Sequence, residues 1–234
     1  MGVVVRSSRL RRIGTTGLAA FLGGWMLTGG TAAGFTPAFT DGFGALSHRP
    51  AWVEGSMHGA WTDAFNGFGS TAVVADGTWV LDETPAATVA EAQTHAALVA
   101  SRPSFGDLAL VATVRTVSQL RRVPNPWEVG WVLWHETDTQ HFYAVVLKPT
   151  GWEIDKEDPA YPGGQRFLAS GTTPVFPVGA WHGIVIVQHG NAISVSADDT
   201  PLVQVIDAER PYLYGRIGLY TEDAEAQFGA VTVW

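Results

Sequence analysis

Residues 129 to 157, VGWVLWHETDTQHFYAVVLKPTGWEIDKE, constrain the fold more than any other stretch, because they read as three consecutive antiparallel strands with two chemically different faces. The first turn falls at Thr137 to Gln140 and sets Trp134 opposite Tyr143 and Val132 opposite Val145. The second, Pro149-Thr150-Gly151, reverses the chain after Lys148. Successive strand residues point to opposite sides. One face therefore collects Val132, Trp134, Tyr143, Val145, Leu147, Trp152 and Ile154, an apolar set that suits a core. The other collects Trp131, His135, Phe142, Lys148, Glu153, Asp155 and Glu157. Aromatic plates beside a row of carboxylates suit a ring that is apolar on its faces and hydroxylated at its rim, the surface a sugar presents. A one-residue slip in either hairpin would exchange the two faces.

The remainder of the chain continues the same pattern. Residues 107 to 117 set Leu108, Leu110, Ala112 and Val114 on one side with period 2. Trp181 to Gln188 is predicted to pair with Ala192 to Ala197 through His189-Gly190-Asn191, bringing Ile184 and Ile186 against Val195 and Ile193. Short strands are expected near 71 to 75, 78 to 82, 216 to 221 and 226 to 233. Residues 161 to 165 (YPGGQ) read as a loop. Pro85 to Thr94 reads as a linker, within which Ala86 to Ala92 has room for a turn or two of helix. Residues 34 to 70 are rich in Gly, Phe, Trp and His and show little periodicity, as expected of an N-terminal strand with long loops. Many short strands separated by turn residues mean an all-β, two-sheet antiparallel jelly-roll sandwich.

The first 33 residues read as a signal peptide, and residues 34 to 234 as one β-sandwich domain. Arg6, Arg9, Arg11 and Arg12 precede a diluted apolar run and a small-residue stretch at Thr31-Ala32-Ala33. That run is too short for a permanent membrane span, so a secreted protein is expected. Arg11-Arg12 raises twin-arginine export beside the Sec route, although Ile13-Gly14-Thr15 lacks the bulky apolar residues that usually follow such a pair. Removal of the leader leaves 10 basic residues against all 22 acids and moves the formal charge from −8 to −12. Nucleic acid is a poor partner for that surface. With no cysteine, the chain has neither a disulfide framework nor a thiolate metal site. A monomer is expected.

The order GWVLWHETDTQHFYAVVL, GAWHGIVIVQHGNAISVSADDTPL and GRIGLYTEDAEAQFGAVTVW resembles the concanavalin A-like lectin/glucanase superfamily, in its laminin-G-like and family 16-like branches. The chain departs from that pattern where Asp199-Thr200 replaces a D-G turn and where Gly229-Ala230 follows Phe228. The resemblance implies two bent antiparallel sheets, and a fold shared by lectins, glycan-binding modules, adhesion domains, hydrolases and lyases. Glu153-Ile154-Asp155-Lys156-Glu157 is similar to the E-x-D-x-E catalytic strand of family 16 glycoside hydrolases. The resemblance implies a nucleophile at Glu153, an electrostatic helper at Asp155 and a general acid/base at Glu157, with the outer pair about 5.5 Å apart across the bond for a retaining mechanism. Lys156 stands where that family carries an apolar residue, and a lysine beside the row would keep acids ionised.

Against these roles stands a solvated strand face. Trp131 is offered as a stacking platform, with His135, Phe142 and Lys148 as further ligand contacts. Trp134 and Trp152 are assigned to the core. His135 and His141 fall on opposite faces and share no metal. Tyr220, Glu222 and Asp223 are placed to close one end of a groove. No cofactor is expected, although Asp41 offers an oxygen for a structural calcium in the superfamily's manner. Three classes follow: a secreted module binding a polysaccharide or oligosaccharide, a retaining glycoside hydrolase, and a cell-surface adhesion or structural domain. A lyase acting on anionic polymers is disfavoured, because it calls for a basic groove.

Overall fold

A computed structural model describes residues 36–47, 51–88 and 93–234. The stretch expected to be a signal peptide and part of the expected helical turn at 86 to 92 lie outside the described residues. Among the described residues, seventeen strands carry the fold. The first five are β1 (Phe39–Asp41), β2 (Met57–His58), β3 (Trp61–Phe65), β4 (Ser70–Ala75) and β5 (Trp79–Thr84). Then come β6 (Ala96–Phe105), β7 (Leu108–Gln119), β8 (Gly130–Asp138), β9 (His141–Lys148), β10 (Gly151–Glu157) and β11 (Gln165–Gly171). The last six are β12 (His182–His189), β13 (Ala192–Ala197), β14 (Thr200–Ile206), β15 (Gly215–Glu222), β16 (Ala224–Phe228) and β17 (Val231–Val233). Among the described residues there is no α-helix, only two short 3-10 turns at Gly44–Leu46 and Pro162–Gly164.

Two antiparallel sheets face each other, as the strand pattern predicts. One runs β14-β13-β12-β7-β16-β5-β4, with β17 on β7 and β1 on β17; the other runs β11-β10-β9-β8-β15-β6-β3-β2. The register predicted for the central meander is observed, with Trp134 opposite Tyr143 and Val132 opposite Val145. All seven residues assigned to its apolar face enter one core with Leu81, Leu110, Val114, Ile186, Val195 and Phe228 of the nine-stranded sheet. Trp134 is fully buried and donates its indole N–H to Gln188 Oε1 at 2.7 Å, so its polar edge is satisfied inside the core. Gly130 marks the close approach of the layers, since a Cβ there would stand 2.7 Å from Val114 Cγ2.

The departures from expectation have local causes. The β12–β13 hairpin turns at Gly190-Asn191, pairing Ile184 with Ala197 and Ile186 with Val195. That is two residues from the expected register, so every side chain keeps its face. Residues 161 to 165 do turn, but the chain resumes as β11, a polar edge strand without period 2. Asp41 is engaged within the protein: one carboxylate oxygen accepts the Phe43 amide at 2.8 Å and the other the Trp61 indole N–H at 2.9 Å. Lys156, beside the acid row in the chain, is on the opposite face. It points inward, fully buried, with Nζ on Asp207 at 2.7 Å and on the carbonyls of Glu209 and Arg210 at 2.6 and 2.7 Å.

Candidate functional site

The outer face of the eight-stranded sheet is assembled by register. Phe65, Leu98, Tyr220, Trp131, Val146 and Glu153 lie in one row from β3 to β10. In the next, Gly218, Leu133, Ala144 and Asp155 are aligned; beyond them Phe142 pairs with Glu157, and Glu157 with Gln165 on β11. The middle strands thus supply an apolar floor, and β10 supplies an acidic flank. Leu98, Val129, Trp131, Leu133, Phe142, Ala144 and Val146 form a second apolar cluster, separate from the interlayer core, with Phe65 and Tyr220 packed on it.

The structure brings six of the seven expected site residues to this face and turns one away. Glu153, Asp155 and Glu157 project together from β10, which pairs with β9 without a bulge, and Lys148 forms an ion pair with Glu153. Trp131 and Phe142 are only 5% and 7% exposed, so they are floor rather than open plates. The Trp131 indole N–H is held by the Trp127 carbonyl at 2.9 Å, and its ring meets the edge of Tyr220 with centroids 5.3 Å apart.

His135 is the residue that does not belong. The β8–β9 register shifts between Trp134 and Asp138, which breaks the alternation that placed it outward. His135 has φ 50° and is 1% exposed, with its ring nitrogens 2.8 and 2.9 Å from the carbonyl oxygens of Tyr212 and Gly106. Burial holds its pKa below the ordinary imidazole value. Gly215 makes the bulge fit, because a Cβ there would lie 2.4 Å from the His135 carbonyl carbon.

The electrostatics of the flank are unusual. Asp155 is fully buried; one oxygen receives a long 3.3 Å bond from Gln165 Nε2 and the other has no partner. Burial, reinforced by the neighbouring charges of Glu153 and Glu157, pushes its pKa up to about 8. Burial and the charge of Glu222 push Glu157 up to about 7. Glu222, itself raised by burial, accepts the Tyr220 hydroxyl at 2.6 Å. Two carboxyls thus sit near neutrality on one face, with a third tied to a lysine. Such tuning suits proton transfer.

Glu222, expected with Tyr220 only at a groove end, acts on the acid row itself, while Phe65 had no local signal because its pairing with Leu98 is long-range, and Gln165, read as the end of a loop, opens β11 instead. No cluster of three or more His, Cys, Asp or Glu side chains among the described residues could hold a metal ion. No helix among them is long and apolar enough to cross a membrane.

Solved structures share this fold. The carbohydrate-binding module CBM66 from Bacillus subtilis superposes with a TM-score of 0.58 at 17% identity, covering 74% of this chain and 94% of that one. A GH16 protein of the mixed linkage glucan PUL of Bacteroides ovatus, in complex with G4G4G3G product, gives 0.55 at 10% identity, covering 84% and 99%. The GlcNAcα1-4Gal releasing endo-β-galactosidase from Clostridium perfringens gives 0.53 at 12% identity, covering 87% and 64%. Their likeness is that of the concanavalin A-like jelly roll. No curated protein matches the chain. A family model does match, over residues 50–233, taking in every strand from β2 to β17. The chain belongs to the family of 3-keto-alpha-glucoside-1,2-lyase-like domains.

Proposed function

We propose that this is a secreted, carbohydrate-active protein that binds a glycoside across the floor of Trp131, Tyr220 and Phe65 and breaks its linkage by acid–base chemistry on the β10 flank. The observation that carries the reading is the pair Asp155 and Glu157, adjacent on one face with pKa values pushed to about 8 and about 7. At neutral pH Asp155 holds its proton and can donate, while Glu157 is partly ionised and can accept. The family's description suggests the reaction. In a 3-keto-α-glucoside the hydrogen on C2 is acidified by the adjacent carbonyl. Glu157 would take that proton, a C1–C2 double bond would form, and the C1–O bond would break as Asp155 protonates the departing oxygen. A neutral glycoside needs no basic groove, so the acidic surface is no obstacle.

The test uses p-nitrophenyl 3-keto-α-glucoside, with the unoxidised p-nitrophenyl α-glucoside as control. Release of p-nitrophenolate from the keto sugar alone is expected, with Glu157→Gln slowing it by about 100- to 10,000-fold. Turnover of the control instead would favour the retaining hydrolase, for which Glu153 must be a free nucleophile despite its ion pair with Lys148. A binding module without catalysis is the second reading, favoured by the continuous apolar floor. Calorimetric binding of oligosaccharides with no turnover of either substrate would establish it.

A further inference from the structure

Away from the outer face, four polar side chains are enclosed between the layers. Asp63 alternates on β3 with Trp61, which is in the core, so its carboxyl group turns inward. Thr71 and Glu83 are cross-strand partners on β4 and β5 and share the face that carries Val73 and Leu81 into the same core. Trp52 adjoins them, its backbone N–H on the Thr71 carbonyl at 2.7 Å. All four residues are at most 3% exposed.

Among the described residues, eight buried side-chain polar atoms have no hydrogen-bond partner. Six of them are here: Trp52 Nε1, both oxygens of Asp63, Thr71 Oγ1 and both oxygens of Glu83, with the Thr71 hydroxyl beside Asp63 and the Val99 amide beside Glu83 as polar neighbours that fall short of hydrogen-bond geometry. Enclosed carboxyl groups without partners are strongly disfavoured, and native interiors tolerate few such atoms. The other charges acting on the pair, Glu54 and Asp82, are negative, and Asp82 is already engaged by Thr84 and Gln227. His58 stacks on Trp52 with ring centroids 4.2 Å apart.

We propose that this chamber holds a divalent, oxygen-liganded cation that clamps β3 of one sheet to β4 and β5 of the other. Two carboxylates balance the charge of such an ion, and the Thr71 hydroxyl adds a neutral oxygen. Water completes the shell, as hard cations accept readily. The Trp52 N–H cannot ligate a cation; its fitting partner is a carboxylate oxygen or a water on the ion. Burial and the charge of Glu54 raise Asp63 to about 6, and burial and the charge of Asp63 raise Glu83 well above its ordinary pKa, negative charge that a cation would offset.

The test is made on the full chain, dialysed against a chelator and then titrated with Ca2+ or Mg2+. Thermal unfolding should shift upward by several degrees with saturable dependence on one of these ions. Tb3+ should give indole-sensitised luminescence that Ca2+ displaces. Asp63→Asn and Glu83→Gln should each weaken the apparent affinity at least tenfold, and Trp52→Phe should dim the Tb3+ signal while leaving the thermal shift. If the carboxyl variants do not fold, the wild-type titration and competition decide alone. No thermal response to either cation, with stability rising on acidification instead, would overturn the proposal in favour of a shared proton. Luminescence that survives Asp63→Asn and Glu83→Gln but disappears in Asp155→Asn would place the ion on the outer face and overturn it equally.

Discussion

Asp155 and Lys156 are neighbours on β10, both fully buried, and the two sides of the sheet treat their charges oppositely. On the inner side, Lys156 meets the Asp207 carboxylate, two backbone carbonyls and the faces of Tyr143 and Tyr212, 5.7 and 4.7 Å from the ring centroids. Tyr143 in turn donates its hydroxyl to the same Asp207 oxygen at 2.6 Å. On the outer side, Asp155 has one long hydrogen bond and two repelling carboxylates. A buried charge with every partner supplied is scaffold, whereas one left under-satisfied stores free energy that a ligand or a proton can release. The inner face should therefore respond to mutation through stability, and the outer face through pH and substrate.

The inner face offers the largest effects. Trp134→Ala empties the centre of the core and orphans Gln188 Oε1, with an expected loss of about 3 to 5 kcal/mol in urea unfolding. Lys156→Met leaves Asp207 buried beside Tyr143 without its cation; a loss of about 3 kcal/mol is expected, the lower end for breaking a buried pair. A change below about 1 kcal/mol in either variant would erase the contrast between the faces.

The outer face should show itself in the pH dependence. Asp155 has a folded pKa of about 8 against an ordinary 3.8, so the folded state binds its proton more tightly than the unfolded state. The stabilising contribution is complete below pH 3.8, declines as pH rises and is gone above about 8. Asp155→Asn should flatten the stability profile over that window by up to about 1.4 kcal/mol per pH unit. Glu157, Asp63, Glu83 and Glu222 titrate in the same direction, so the comparison is the variant's slope against the wild-type slope. Lys156→Met should leave the contribution of Asp155 unchanged, since Lys156 is not among the charges that act on it, and should alter the profile through Asp207, which loses the lysine that holds its pKa low.

What the sequence made legible was local and periodic. Two hairpins with clear turns were enough to place Trp134 against Tyr143 and to line up Glu153, Asp155 and Glu157. Alternation failed at His135 because the bulge there is accommodated by Gly215, eighty residues away in the chain, which no local pattern announces. Lys156 was legible only as a lysine beside the acid row, and its burial was not, because its partner, Asp207, lies after β14. The interlayer group of Asp63, Thr71 and Glu83 was unreadable for the same reason, since three short strands from two sheets converge to make it. Glu222 was visible in the LYTED turn, but its action on Glu157 depends on the shape of the whole face.

The smallest predicted effect gives the finest test of the contrast. Lys148 is paired with Glu153 at the edge of the outer face, and its charge is the principal influence that lowers the Asp155 pKa. Both side chains keep some solvent contact, so Lys148→Met should change stability by less than about 1 kcal/mol at pH 6. Its electrostatic effect should be clearer than its energetic one. Without the ammonium group, Asp155 should hold its proton to higher pH, and the alkaline end of the stability profile should move upward. Infrared titration of the protonated carboxyl stretch, with Asp155→Asn to assign it, checks this directly. A shift to lower pH would mean that Lys148 acts chiefly by restraining Glu153, whose charge would then weigh less on Asp155 once the pair is broken.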